Sequence, residues 1–384
     1  MNQYYNPVRI FQGAGCAGWL EHVLDQMNLV SRKVLFLVWD ESVLNHPSFA
    51  PLLDEGRGYE IHPLCFRESN PTVEQLFRVY QETKAWMPEV VVAVGGGSIL
   101  DVGKSLCCLY RHTLQGVEEL RELIQTKDYG SPAARWIGIP TTAGTGSETT
   151  CWATIWDPEQ NTKRSVECRE NYAWAALVDP ELAAGMPLQL AVSSALDAVA
   201  HAVESYWAKG TNCVSRGLAL EAIRTIMGNI DNLMEGKKEA HDAMARGSML
   251  AGLAFSNTRT TACHSISYPL TMRYHIPHGT AVSLLLAPVM QLNASCVEGM
   301  KELLDALGVE STGELQGRIA ELLGRSGQGS SLQEWGVKYQ DLAELAPLGI
   351  TKGRADNNPV VIQTATVQRI LEEAYTLQPM RKGA

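Results

Sequence analysis

The chain has 384 residues, 45% of them hydrophobic and 19% charged, with 32 Lys and Arg against 42 Asp and Glu for a formal charge of −10. That balance argues against a nucleic-acid or anionic-membrane partner, and the apolar content argues against disorder over most of the length. Its nine cysteines include no CxxC pair, and only Cys107 and Cys108 are adjacent, a pattern of reduced thiols and not of a disulfide framework or a zinc knuckle.

The N-terminal stretch MNQYYNPVRIF has no basic segment leading into an apolar one, so a cytoplasmic protein is expected. VRIF is a short strand signal. Residues 34–38 (VLFLV) read as a buried strand ending at Asp40, residues 90–94 (VVVAV) as another and 136–139 (WIGI) as a third. Helical spacing fills 72–86 and 98–110 between them. Strands alternating with helices predict a parallel sheet covered on both faces. After Asp179-Pro180 the texture becomes Ala- and Leu-rich and helical, over 190–207, 214–234, 240–255, 279–294, 300–306 and 366–377. The longest strongly apolar run, around Val282 to Val289, is too short to span a bilayer. The predicted architecture is an α/β domain over 1–180 and an all-helical domain over 181–384, with the ligand cleft along the boundary. Residues 324–331 and 349–359 read as loops.

Three glycine-rich segments compete to cradle phosphates. Gly13-Ala14-Gly15-Cys16-Ala17-Gly18 satisfies GxGxxG, and Asp40 follows at a strand end, where a dinucleotide fold places an acid on the ribose. With so short a strand before it, the segment itself reads as a plain strand-to-helix turn, and Asp40 is kept as the ribose ligand. Gly95-Gly96-Gly97-Ser98 follows VVVAV directly and opens a helix whose N–H groups suit a pyrophosphate. Its spacing to Gly103-Lys104-Ser105 is one residue too long for a Walker loop, which argues against nucleotide hydrolysis. The third segment, PTTAGTGSE from Pro140 to Glu148, lies at the carboxyl end of a strand, where open α/β sheets bind ligands. Two such loops at one sheet edge suit a dinucleotide.

In the helical half, Asp197 and His201 lie at i, i+4 on one helix face. Together with His264 and His278 they make one carboxylate and three imidazoles, a ligand set for Fe(II), Zn(II) or a similar ion that leaves a position for a substrate oxygen. Any one of them alone would more often be structural, but an Asp facing a helical core is costly without a partner. His275 is a rival ligand. Glu204, one turn beyond His201, is either another rival or an exposed or outer-sphere group.

GGGS followed by Asp101, PTTAGTGSE, Lys163, DPEL at Asp179, DAVAHAVES around Asp197 and His201, His264, and IPHG at His278 occur in one order. This combination resembles the iron-containing (group III) alcohol dehydrogenase family from about residue 8 to about 376. The resemblance implies a Rossmann-like N-terminal domain and a helical C-terminal domain, the fold also seen in dehydroquinate synthase. It implies one divalent metal, Fe(II) with Zn(II) as the other candidate, held by Asp197, His201, His264 and His278. It further implies a nicotinamide cofactor contacted by Asp40 at the adenosine ribose, Asn70, Gly96, Gly97 and Ser98 at the pyrophosphate, Thr141, Thr142 and Thr145, and Lys163 at the nicotinamide ribose. Asp101 would cap backbone N–H groups nearby. A homodimer is expected on the same ground. A carboxylate at Asp40 favours NAD(H) over NADP(H), because it accepts from the 2′-hydroxyl and repels a 2′-phosphate.

Tyr268 stands where many members carry a further His beside the nicotinamide, so the expected proton donor there is Tyr268. The run TRTTACHSISYP and the Asn357-Asn358-Pro359 segment preceded by Arg354 resemble the phosphonoacetaldehyde reductase branch. Arg259, Thr260, Thr261 and Tyr268 would then hold a phosphonate head group; the alternative is that the Thr pair caps a helix and Arg259 faces solvent. The expected function is interconversion of a small aldehyde and its primary alcohol, specifically reduction of phosphonoacetaldehyde to 2-hydroxyethylphosphonate. General short-chain alcohol or lactaldehyde dehydrogenation is the alternative within the fold. A metal- and NAD-dependent cyclase of the dehydroquinate synthase type would use Glu and two His, against the Asp and three His present.

Overall fold

A computed structural model describes residues 3–53, 58–160 and 162–376. The chain divides into two compact units, one of Asn6–Thr142 and Gly146–Ala184 and the other of Met1–Tyr5, Ala143–Thr145 and Gly185–Ala384.

The first unit runs β1 (Arg9–Gln12), α1 (Leu20–Gln26), β2 (Lys33–Val38), α2 (Ala50–Leu53), β3 (Glu60–Cys65), α3 (Val73–Lys84), β4 (Val90–Gly95), α4 (Gly97–Leu109), α5 (Val117–Thr126), β5 (Arg135–Pro140), β6 (Trp152–Asp157), β7 (Thr162–Glu167), β8 (Ala175–Val178) and α6 (Pro180–Ala183). Six strands form one parallel sheet in the order β1-β8-β5-β4-β2-β3, and β6 and β7 make a separate antiparallel hairpin. Period-two alternation sorts the side chains. Leu35, Leu37, Val91, Ala93 and Trp136 enter the core on one face, while Val34, Phe36, Val38, Val90, Val92, Val94, Ile137 and Ile139 enter the core on the other. Each fully buried Val, Leu, Ile or Phe among them contributes roughly 1.5–3 kcal/mol. Both faces are therefore dry, as the uninterrupted apolar runs require.

β3 carries Pro63 and polar residues, and it lies at the sheet edge, where a missing N–H leaves no gap in a ladder. α3 begins in a capping box, Thr72 accepting from the Gln75 N–H and Gln75 from the Thr72 N–H.

The second unit is helical: α7 (Leu188–Trp207), α8 (Cys213–Met227), α9 (Ile230–Met234), α10 (Glu239–Thr258), α11 (Ala262–Tyr274), α12 (His278–Asn293), α13 (Met300–Leu307), α14 (Thr312–Arg325), α15 (Leu342–Leu348) and α16 (Thr364–Tyr375). The single helix expected over 214–234 is broken at Gly228-Asn229, where the Asn229 amide donates to the Thr225 carbonyl. The expected end of the last helix at residue 377 lies outside the described residues. One apolar core joins α7, α8, α10, α11, α12, α14 and α16. Among the described residues, no helix is long and apolar enough to cross a membrane.

Candidate metal centre and cofactor cradle

α7 is a 20-residue, Ala-rich helix buried on nearly all sides from Ala191 onward. It carries Asp197, His201 and Glu204 one turn apart. α11 brings His264 and Tyr268, and α12 begins at His278. Gly279 sets that last approach: a Cβ there would lie 2.1 Å from the Ser193 carbonyl oxygen of α7, so only glycine lets the start of α12 touch α7.

One ligand atom each from Asp197, His201 and His264 lie within 4.8 Å of one another. His264 Nε2 is 3.5 Å from Asp197 Oδ1, and His201 Nδ1 is 3.8 Å from Asp197 Oδ2. The His201 and His264 rings are 4.3 Å apart, and Phe255 stacks on His201 at 4.3 Å. His278 stands just outside this tight set, its ring edge-on to His264 at 5.4 Å. The rival His275 is exposed at the left-handed end of α11 and takes no part.

Asp197 Oδ1, His201 Nδ1 and His264 Nε2 are buried and make no hydrogen bond. Buried polar atoms are normally paired, and three facing one another call for a cation. Burial pushes the His201 imidazole down to about 4, against a weaker opposing effect of a backbone hydrogen bond with Gly144, so the ring stays neutral and keeps a lone pair. Burial alone would raise the Asp197 carboxyl, but His201, His264 and His278 hold it below the usual carboxylate range. Gly144 itself is packed against α7, with a Cβ there meeting Ser194 at 2.8 Å. That glycine of PTTAGTGSE therefore serves helix packing, and it and Thr145 belong to the helical unit.

Glu204 is neither exposed nor within the tight ligand set. Fully buried, it faces His264 Nδ1 with Oε2 and accepts at Oε1 from the Thr261 hydroxyl at 2.6 Å and the Cys263 N–H at 2.7 Å.

The four expected head-group residues differ in placement, and Arg259 matches the alternative in which it faces solvent. Thr261 is fully buried; its hydroxyl donates to Glu204 and accepts from Trp207 Nε1 at 2.8 Å, which leaves it no proton for a substrate. Thr260 is also buried, and its carbonyl accepts from the Asn357 amide. Arg259 is exposed at the end of α10. Tyr268 does lie at the centre, stacked on His278 at 6.0 Å and within 3° of parallel. The cation beside it is Arg354, 5.6 Å from the ring centroid, with a buried Nε that makes no hydrogen bond. Sequence reasoning placed Arg354 only as the neighbour of a motif. It sits in a loop without periodicity, so no spacing pointed to the centre.

In the sheet unit, α4 starts at Gly97 after Gly96, and no side chain caps it, so its first N–H groups remain open to an anion. Thr142 lies against Gly96, close enough that a Cβ on Gly96 would meet Thr142 Cγ2 at 3.2 Å. The Thr141 N–H donates to the Gly95 carbonyl, and the exposed Asn70 donates its N–H to Ser98 Oγ at 3.0 Å. Asp40 accepts from the Ser42 N–H at 2.9 Å, and Arg67 approaches it at 3.6 Å; Ser42 chiefly holds its carboxyl below the usual range. Lys163 is on β7 opposite Trp156.

Asp101 does accept a backbone N–H, but one outside its own helix. Its oxygens accept from the Ser147 hydroxyl and the Thr154 N–H, both at 2.7 Å, so it braces β6 and the loop before it and does not cap the start of α4. The GxGxxG segment has its own anion: the Asp179 carboxylate accepts from the N–H groups of Gly15 and Ala17 at 3.2 and 3.0 Å. It is the expected plain turn.

Known proteins are similar to the chain over most of its length. Residues 7–180 match the iron-containing alcohol dehydrogenase family, and residues 191–375 match the C-terminal domain of the Fe-containing alcohol dehydrogenase family. The chain is 30% identical over 319 residues to the lactaldehyde reductase of Escherichia coli K12, covering 80% of this chain and 81% of that one. It is 27% identical to the NADPH-dependent butanol dehydrogenase of Clostridium saccharobutylicum over 98% of both chains. Among solved structures, the sulfoacetaldehyde reductase of Bifidobacterium kashiwanohense in complex with NAD+ superposes with a TM-score of 0.85 at 25% identity, over 97% of this chain and 98% of that one.

Proposed function

The chain belongs to the iron-containing alcohol dehydrogenase family, and from that membership we propose that it reduces a small aldehyde with an anionic head group, phosphonoacetaldehyde being the candidate, at a centre formed by Asp197, His201, His264 and His278 with NADH as reductant. Alcohol dehydrogenase or aldehyde reductase activity follows from the family. The substrate, the choice of NADH and the site residues are the proposal.

The observation that carries the centre is the set of three buried polar atoms, Asp197 Oδ1, His201 Nδ1 and His264 Nε2, that meet without a hydrogen bond to any of them. The donor set suits Fe(II), and Zn(II) equally. When bound, the ion supplies Lewis acidity toward the aldehyde oxygen and the reduced nicotinamide supplies the hydride. The chain's own part is positional. His201, kept neutral, and Asp197, kept ionised, hold the centre, and the dry helical core around them excludes water. Burial pushes the Tyr268 hydroxyl up to about 12, so it keeps its proton at neutral pH and can donate to an oxygen beside His278. The uncapped start of α4 takes the pyrophosphate, Asn70, Ser98, Thr141, Thr142 and Thr145 line the cofactor, Lys163 takes the nicotinamide ribose, and Asp40 accepts from the adenosine ribose.

The anionic head group is supported by Arg354, whose guanidinium lies over Tyr268 without an ion-pair partner among the described residues. A second reading, a neutral short aldehyde such as lactaldehyde, is favoured by the 30% identity to lactaldehyde reductase. An aldehyde panel decides between them: phosphonoacetaldehyde, lactaldehyde, succinate semialdehyde and propanal, each with NADH and NADPH in the Fe(II)-loaded enzyme. Phosphonoacetaldehyde with NADH is expected to give the highest kcat/KM. A higher value for lactaldehyde or propanal would overturn the head-group assignment, and a preference for NADPH would overturn the cofactor choice.

A further inference from the structure

We propose that Glu204 is a positioning residue that fixes His264 in the tautomer carrying its proton on Nδ1, and so keeps the Nε2 lone pair directed at Asp197 for a metal ion; this rests on the reading of that cluster as a metal centre. The hydrogen-bond directions follow from one obligatory donor. An indole N–H can only donate, so Trp207 Nε1 must donate to Thr261 Oγ1 at 2.8 Å. The Thr261 proton then goes to Glu204 Oε1 at 2.6 Å. The Cys263 backbone N–H, which also can only donate, reaches the same oxygen at 2.7 Å. Oε2 is left facing His264 Nδ1. With two donors already on its other oxygen and no exposure to solvent, Glu204 has one place for the His264 proton.

On the far side of the ring, His264 Nε2 stands 3.5 Å from Asp197 Oδ1, and neither atom has a hydrogen-bond partner. With the proton on Nδ1, Nε2 and the Asp197 oxygen face each other as two acceptors, an arrangement that is repulsive without a cation. If the proton moved from Nδ1 to Nε2, it would bond to Asp197 and block the position. The carboxylate of α7 therefore holds the start of α11 through Thr261 and Cys263 and selects the metal-binding form of a ligand on that helix. Outer-sphere partners of this kind are worth roughly 10–100-fold in metal affinity.

Glu204→Gln gives a specific test. A carboxamide has one acceptor oxygen, which the fixed Cys263 N–H claims. Its NH2 group then meets His264 Nδ1, which must accept and carry its proton on Nε2. The full chain, stripped of metal with a chelator, is titrated with Co(II) and Zn(II), and the side-chain nitrogen signals of His264 are read by NMR in the metal-free state. The expected result is a protonated Nδ1 in the unsubstituted chain and a protonated Nε2 in E204Q, with metal affinity about 10–100-fold weaker and an unchanged circular dichroism spectrum. Metal affinity within about twofold of the unsubstituted chain, or the same tautomer in both, overturns the role of Glu204. Failure of the unsubstituted chain itself to bind one ion overturns the metal centre, a distinct outcome. Should E204Q not fold, Thr261→Val removes one donor while keeping the Glu204 charge. It is expected to weaken metal binding several-fold and Thr261→Ser to restore it; equal affinity in all three chains overturns the proposal.

Discussion

Arg354 lies over the face of Tyr268, its guanidinium carbon 5.6 Å from the ring centroid, and Tyr268 is stacked on His278. A cation and a buried hydroxyl thus share one side of the candidate centre. If Arg354 holds an anionic head group, Arg354→Ala should lower the ratio of kcat/KM for phosphonoacetaldehyde to that for propanal by about 10–100-fold, the loss of one charge-assisted contact of roughly 1.5–3 kcal/mol. Arg259→Ala, at an exposed position, should leave that ratio within about twofold. Steady-state kinetics on both substrates checks this, and an effect confined to Arg259 would reverse the assignment.

The two glycine segments of the sheet unit should respond differently to substitution. Asp179→Ala removes the acceptor for the Gly15, Ala17 and Glu181 N–H groups. It should lower the Tm, at a cost of about 2–4 kcal/mol, while the dissociation constant for NADH stays within about threefold. Gly96→Val crowds Thr142 at the start of α4, and it should weaken NADH binding by at least about tenfold. Fluorescence titration with NADH beside a thermal melt separates the two effects.

Glu148 predicts a pH dependence. It is 2% exposed, and burial pushes its carboxyl from 4.5 up to about 7, opposed by its own backbone N–H and by Lys104. As pH rises, the unfolded chain loses this proton first, so the folded state holds more protons between about 4.5 and 7 and stability falls across that window. The contribution is at most on the order of 3 kcal/mol. Glu148→Gln should flatten the change in denaturation midpoint between those two pH values; an unchanged slope would show that the group is ionised in the fold.

The parts of the fold legible in the sequence were those with a dominant local signal. β2, β4 and β5 are apolar runs because both sheet faces are covered, and Asp197 and His201 stand out because i, i+4 spacing on one helix places them together. β3 was obscured by Pro63, tolerated at an edge, and β8 is four residues long. The engagement of Glu204 with His264 joins residues 60 apart and depends on how α7 meets α11, which no local spacing records. The same holds for the arginine: Arg259 is next to the motif in sequence, whereas Arg354 reaches Tyr268 through the packing of a distant loop.

The central claim is that buried Asp197, His201 and His264, with the half-buried His278 beside them, bind one divalent ion on which aldehyde reduction depends. Metal content per chain, measured on anaerobically prepared, Fe(II)-loaded protein beside Asp197→Ala and read together with NADH-dependent aldehyde reduction, tests it most directly. One ion per chain is expected, with loss of both the ion and the activity in the variant. Full activity in chelator-treated protein that holds no metal would contradict it.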